Sequence, residues 1–382
     1  MSIKVVSVVS YKFLPAIVGG QKGVALFYKF FSKHVSLVCV TTSSNDASAV
    51  KEYEVLPILS TSPIRYINIF YFFTIRRILR KYEASHFLLE HPYYGWLGFL
   101  VKTFCKTKLV VHSHNIEGLR WKSLGKWWWW ILWRYEKFTH RQADYNFFIQ
   151  QQDLEYATRE FALNPSKCMV VTYGIERDTI PTTKERVDAR NKVVALHHIP
   201  ANHSILLFNG AFDYKPNVEA LLKLLETINP LLNENKNFPY RLVICGRSIP
   251  QNILDGNYPN VVMAGFVEDV NMYFKSADVF LNPITQGGGI KTKLVEALGF
   301  NCNAVSTING AIGVDPSLCN GKLAIVADDD WVGFVQQVVK ASAVSNDIGP
   351  EYFQHFYWGY SCERAARFIE QKSLPVEADN KV

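Results

Sequence analysis

Short runs of Val, Ile and Leu alternate with longer amphipathic stretches along most of this chain. The runs at residues 4–9, 35–41, 86–90, 108–112, 145–149 and 169–172 are nearly continuous in apolar residues. Strands of that kind are covered on both faces, which predicts a parallel sheet between layers of helix. Helix-length segments at 23–32, 66–81 and 154–161 lie between them. The pattern pauses over 173–199, where Gly174, Pro181 and a charged stretch interrupt it, and then restarts. Strands are expected at 204–209, 240–245, 261–264, 279–282 and 303–306, with helices at 217–228, 293–298 and 331–342. Two successive α/β domains of the doubly wound kind, 1–185 and 186–350, account for this order. A last helical segment, 351–372, carries six aromatic residues between Tyr352 and Tyr360, too many for an exposed tail.

Composition narrows the class. Of 382 residues 48% are hydrophobic and 20% charged, which excludes a disordered, collagenous or coiled-coil protein. The net charge of +7 permits anionic partners without choosing among them. Seven scattered cysteines without CxxC spacing read as reduced thiols of a cytoplasmic protein. The N-terminus reads as a strand running into a loop rather than a signal peptide, and no window has the roughly 18 apolar residues of a membrane span. No GxGxxG occurs, so a dinucleotide enzyme is not expected.

The most informative segment is 282–300, NPITQGGGIKTKLVEALGF. Three glycines lead from an apolar strand into an amphipathic helix. Such a turn leaves backbone N–H groups free at a helix N-terminus, where an anion is favoured. Lys291 and Lys293 add positive charge for a diphosphate, and Glu296, one turn into the helix, offers acceptors to ribose hydroxyls. The alternative is a plain turn with solvated lysines.

The longer run VVMAGFVEDVNMYFKSADVFLNPITQGGGIKTKLVEALGF resembles the donor-binding half of glycosyltransferase family 4, retaining nucleotide-sugar enzymes of the GT-B fold. Gly19 and Gly20 after the first strand, HSHNIE at 112–117, TYGIE at 172–176 and LLFNGAFDYKPNVEAL at 206–221 match the family's other segments in order. The resemblance implies two Rossmann-like domains facing a cleft, with the acceptor on the first and the nucleotide sugar on the second. It also implies that the last segment packs back on the first domain.

Carried over residue by residue, the resemblance assigns donor binding to Gly19, Gly20, Asn209, Gly210 and Lys215. Gly265, Phe266 and Val267 join them, as do Gly288, Gly289, Lys291, Lys293 and Glu296. His112 and His114 alternate at a strand end, and His114 is the better match to the family's sugar-contacting catalytic histidine; a histidine satisfied by backbone is the alternative. Glu90 and His91 are expected on the acceptor side.

Three departures stand out. Gly288 occupies the place of the family's first donor glutamate, as in a glycine-rich subgroup. Ala211 follows Gly210 where many members are basic, and Tyr173 replaces an asparagine. Neither cofactor nor metal is expected, so Asp328-Asp329-Asp330 reads as a helix cap. The expected activity is sugar transfer from a nucleotide-sugar donor to a glycan or lipid-linked acceptor, in cell-surface polysaccharide or glycolipid synthesis. An epimerase of the same fold, or a degenerate sugar- or partner-binding protein, is the alternative.

Six of the nine tryptophans fall between Trp121 and Trp133, interleaved with Lys and Arg. Four consecutive ones on a helix would point all round it, so an anionic membrane surface is a further expected partner. The protein is then peripheral, on the inner face of the membrane. No nucleic-acid-binding motif is present.

Overall fold

Parallel pairing joins every neighbouring strand of the computed structural model, which describes residues 3–16 and 19–371. Two units form. One comprises the chain up to Glu176 together with the segment from Trp358 onward; the other is Arg177–Tyr357.

The first unit contains strands β1 (Lys4–Val9), β2 (Ser36–Thr42), β3 (Glu54–Leu59), β4 (His86–Glu90), β5 (Lys108–Ser113), β6 (Tyr145–Phe148) and β7 (Cys168–Val170). They lie in the order β3-β2-β1-β4-β5-β6-β7. Its helices are α1 (Gly19–Phe31), α2 (Phe70–Lys81), α3 (Gly95–Cys105), α4 (Glu117–Ser123), α5 (Trp129–Gln142) and α6 (Gln151–Glu160). Strand alternation divides the core in two. Val6, Val8, Phe87, Leu89, Leu109 and Val111 face α2 and α3, forming one apolar cluster with Phe72, Ile75, Ile78 and Leu79. Those four recur at helical spacing, which is why α2 buries one stripe.

On the other face sits α1, whose Phe27 ring lies 4.6 Å from that of His112. The C-terminal helix of the described chain, Trp358–Gln371, packs beside α1. Its Cys362 Sγ approaches the Phe27 carbonyl at 3.5 Å, and Phe368 lies against Tyr145 and Phe147.

The second unit contains β8 (Ser204–Ala211), β9 (Tyr240–Arg247), β10 (Val261–Gly265), β11 (Val279–Asn282), β12 (Asn303–Thr307) and β13 (Leu323–Val326), ordered β10-β9-β8-β11-β12-β13. Helices α7 (Thr183–His197), α8 (Lys215–Lys223), α9 (Asn229–Glu234), α10 (Gln251–Leu254), α11 (Val270–Ser276), α12 (Thr292–Gly299), α13 (Trp331–Ala341) and α14 (Pro350–Phe356) surround it; the C-terminal helix is then α15. A capping box between Thr182 and Glu185 starts α7. Asp330 caps α13 by accepting from the Gly333 N–H, and Asp328 accepts from the Asn309 N–H, so both carboxylates serve the backbone.

The structure departs from the sequence reading in several places, among them the unexpected edge strand β13. Strand β3 was not expected; its Pro57 argues against a central strand, and β3 lies at the sheet edge, where a missing N–H is tolerated. The helix expected from 66 begins at Phe70, after a 3₁₀ turn over Pro63–Ile67 capped by Ser62. The four tryptophans do not share a helix: Trp127 and Trp128 form a turn and only Trp129 and Trp130 enter α5. Finally, the first unit ends at Glu176 rather than 185, and the returning segment starts at Trp358 rather than 351. Contacts decide this. Arg190 on α7 pairs with Asp278 at 2.8 Å, and Tyr352 on α14 donates to the Val295 carbonyl at 2.8 Å, which ties both helices to the second unit.

Ile369 on α15 is fully buried. Ile369→Ala should therefore destabilise the first unit by about 2–5 kcal/mol, seen as a lowered melting temperature. Arg367→Ala, at an exposed position on the same helix, should change it by no more than about 0.5 kcal/mol.

Candidate functional site

In an open parallel sheet, ligands bind beyond the carboxyl ends of the strands, where the strand order reverses. That point lies between β1 and β4 in the first unit, and between β8 and β11 in the second. Both carry a concentration of polar side chains.

In the first unit, parallel register sets Glu90 beside His112. Glu90 is buried; its Oε1 lies 3.1 Å from His112 Nδ1 and also bonds His114 Nε2. Burial pushes the Glu90 carboxyl up, but the charge of His112 and hydrogen bonds from both imidazoles override it and hold the group well below the usual carboxylate range. His91 follows in the left-handed region, at φ 66°, which turns its ring onto that of His114 at 4.5 Å. Its Nε2 meets the Tyr11 hydroxyl at 3.1 Å, and its Nδ1 lies 3.6 Å from Glu117. Burial, reinforced by the charge of His114, holds His91 well below the usual imidazole range, so it is neutral. Glu117 accepts from Tyr93 at 2.7 Å and from Arg120 at 3.2 Å.

Four buried atoms of this cluster have no hydrogen-bond partner: Glu90 Oε2, His91 Nδ1, His112 Nε2 and Glu117 Oε1. Buried polar atoms are rarely left so, and a site for a polyhydroxylated ligand is a natural place for them. Among the described residues, Glu90, His112 and His114 also bring one ligand atom each within 4.8 Å, the set that could hold a metal ion.

In the second unit the turn from β11 into α12 contains Gly287 and Gly289 at φ +88° and +76°, a conformation that favours glycine. Gly288 faces open space. No side chain caps α12, so its first N–H groups remain available. Lys291 donates to the Gly287 and Gly289 carbonyls, both at 2.9 Å, and burial pushes its ammonium down to about 8. Lys293 pairs with Glu296 at 2.7 Å. At the end of β8, Asn209 is buried with its Oδ1 unpartnered, and Gly210 follows it. Gly265 ends β10 at φ +65°, presenting an exposed Phe266 and half-buried Val267. Lys215 opens α8 and is mostly exposed.

Two family models match the chain. That of Glycosyltransferase Family 4 covers residues 29–179, and that of glycosyl transferases group 1 covers residues 203–343. The chain belongs to glycosyltransferase family 4.

A protein of Klebsiella pneumoniae described as an uncharacterized 44.6 kDa protein in the cps region is 25% identical over 42% of this chain, and the match spans 46% of that relative. In fold the chain is similar to sucrose-phosphate synthase from Thermosynechococcus elongatus, with a TM-score of 0.71 and 16% identity over 97% of this chain and 99% of that one. It is also similar to WaaG, a glycosyltransferase involved in lipopolysaccharide biosynthesis (TM-score 0.61, 16% identity, 95% of each chain). Anabaena HepE, solved with UDP and glucose, matches with a TM-score of 0.66 at 11% identity, over 96% of this chain and 99% of that one. The two parallel sheets with flanking helices are the Rossmann-like pair of the GT-B fold.

Against this family frame, the nominated residues sort by unit. Asn209, Gly210, Lys215, Gly265, Phe266, Val267, Gly288, Gly289, Lys291, Lys293 and Glu296 all lie at or beyond the carboxyl ends of second-unit strands. Glu90, His91 and His114 gather in the first unit, where Gly19 and Gly20 open α1. Sequence reasoning did not nominate Tyr11, Tyr93, Glu117 or Glu136. Glu117 was within reach, being part of HSHNIE, but Glu136 was not. Its carboxylate accepts from the Glu117 and Gly118 N–H groups, both at 2.9 Å, across a separation no local pattern reveals.

An anionic diphosphate is attracted to protonated Lys291 and not to the neutral amine. If a nucleoside diphosphate sits against Lys291, its affinity should fall as pH rises through about 8. Titration calorimetry should find that loss flattened in Lys291→Arg, whose charge persists.

Proposed function

We propose that the protein moves a sugar from a nucleotide-sugar donor to a hydroxyl of a glycan or lipid-linked acceptor, with retention of anomeric configuration and without a metal. The observation that carries this reading is the uncapped start of α12 behind a glycine turn, with Lys291, Lys293 and Glu296 beside it. Free N–H groups and two ammonium groups suit a departing diphosphate, the largest charge that develops in such a transfer. Removing one donor of this kind costs about 3–4 kcal/mol of barrier. Glu296 holds the ribose. His114, fixed by Glu90, contacts the donor sugar, while Glu90 and His91 face the acceptor. No side chain is assigned as general base; the departing phosphate takes the acceptor proton.

UDP bound to Anabaena HepE makes a UDP-sugar the first donor to try. The Klebsiella relative's cps context and the role in WaaG's description support cell-surface polysaccharide or glycolipid synthesis, on the cytoplasmic side of the membrane.

Glu296→Gln removes a charge-assisted bond worth about 1.5–3 kcal/mol, so UDP affinity should fall roughly tenfold or more. Unchanged affinity in a folded variant overturns the ribose assignment. Transfer should survive EDTA. Loss of turnover restored by Mg²⁺ or Mn²⁺ would instead assign a metal to Glu90, His112 and His114. Release of an epimerised nucleotide sugar with no acceptor consumed would overturn the transferase reading itself.

A further inference from the structure

The outer surface of α2, α3 and α5 is unusually apolar. Ile67 is 79% exposed, Phe70 72% and Trp127 76%, and Phe73, Phe104 and Trp130 are exposed with them. Ring contacts tie these helices to one another. Phe104 on α3 lies 6.1 Å from Phe72 on α2, and Phe99 on α3 lies 5.9 Å from Phe138 on α5. So many large exposed apolar side chains on adjoining helices are uncommon on a soluble domain and mark a surface that is covered in use.

Charge says by what. From Thr61 to Gln142 the sequence has fourteen Lys and Arg against four acidic residues. Of those four, Glu90, Glu117 and Glu136 are buried in the site and its support, which leaves Glu83 as the exposed one. Arg77 and Arg80 stand exposed on α2, and Lys122 and Lys126 beside the tryptophan turn. Several cations lie over the aromatic rings: Lys122 is 4.7 Å from the Trp129 ring centre and Arg134 is 5.2 Å from that of Trp130. Apolar rings at the level of a dense set of cations match the boundary between acyl chains and anionic headgroups. A protein partner would have to supply a matching acidic rim as well as an apolar centre. Among the described residues no helix is long and apolar enough to cross a bilayer, so the contact is a face lying on it.

We infer that the face formed by the Pro63–Ile67 turn and helices α2, α3 and α5 docks on an anionic lipid bilayer. The surface is wider than the tryptophan cluster visible in the sequence. Ile67, Phe70 and Phe73 extend it, and Trp133 does not belong to it, being turned inward to donate to the Tyr156 hydroxyl. This deepens the proposed function by naming the surface a lipid-linked acceptor would occupy, and it is tested without donor or acceptor.

The experiment is sedimentation of the full chain with vesicles of phosphatidylglycerol and phosphatidylcholine in equal parts, and with phosphatidylcholine alone. Wild type should bind the mixed vesicles, and rising salt should remove part of the binding. Arg77→Glu/Arg80→Glu should bind about tenfold more weakly or less still. Ile67→Ser/Phe70→Ser and Trp127→Ser/Trp130→Ser should each lose the salt-resistant part. All six positions are exposed, and UDP affinity, measured in parallel, should be unchanged. The proposal falls if wild type stays in the supernatant at low salt, or if both vesicle types bind it equally. It falls too if the serine variants bind like wild type, or if they dissolve a dimer instead. Loss of UDP affinity in wild type would count against the donor site and leave this result intact.

Discussion

Parallel pairing sends every strand of a sheet to finish at the same edge, and the chemistry of each unit is gathered at that edge as a result. Glu90 and His112 meet because they are register partners on β4 and β5, and His114 reaches the same carboxylate because side chains alternate along an extended strand. In the second unit the ends of β8, β10 and β11 bring Gly210, Gly265 and the glycine turn to one side of the sheet. A buried carboxylate such as Glu90 is tolerated only because imidazoles accompany it. Helix placement follows from the same constraint, since each crossover must lay its apolar stripe on a sheet face already fixed by the strands.

Helix α5 links the site to the outer surface. Its inner face carries Glu136, which holds the first N–H groups of α4 and thereby sets Glu117 against His91. The two helices approach so closely at Gly118 that a methyl group there would come within 2.5 Å of the Trp133 side chain. The outer face of α5 carries Trp130 and Ile131. Displacement of α5 by whatever covers that face would therefore be felt at Glu117.

Strands buried on both faces announce themselves as apolar runs, so the α/β class and most of the sheet were legible from sequence, as was the glycine turn before α12. Edge strand β3 was not, because Pro57 and its mixed, partial burial give it no such signal. Glu90, His112 and His114 could be named from short motifs, yet the meeting of both imidazoles at the Glu90 carboxylate depends on register between strands distant in the chain. Glu136 carried no sequence signal for the same reason. Likewise the tryptophan run marked a surface without showing that a turn, not a helix, displays Trp127, or that Phe70 and Phe104 extend it.

The return of α15 to the first unit gives the chain an order of assembly. Residues Trp358 and Cys362 cover the side of α1 near Phe27, yet they are synthesised only after the whole of Arg177–Tyr357. At roughly 5–20 residues per second, a ribosome spends about 10–35 s on that intervening unit. Throughout that interval the nascent first unit presents an apolar flank with no partner of its own, while the second unit emerges with all its strands in hand. The unit that begins the chain is thus the last to be finished.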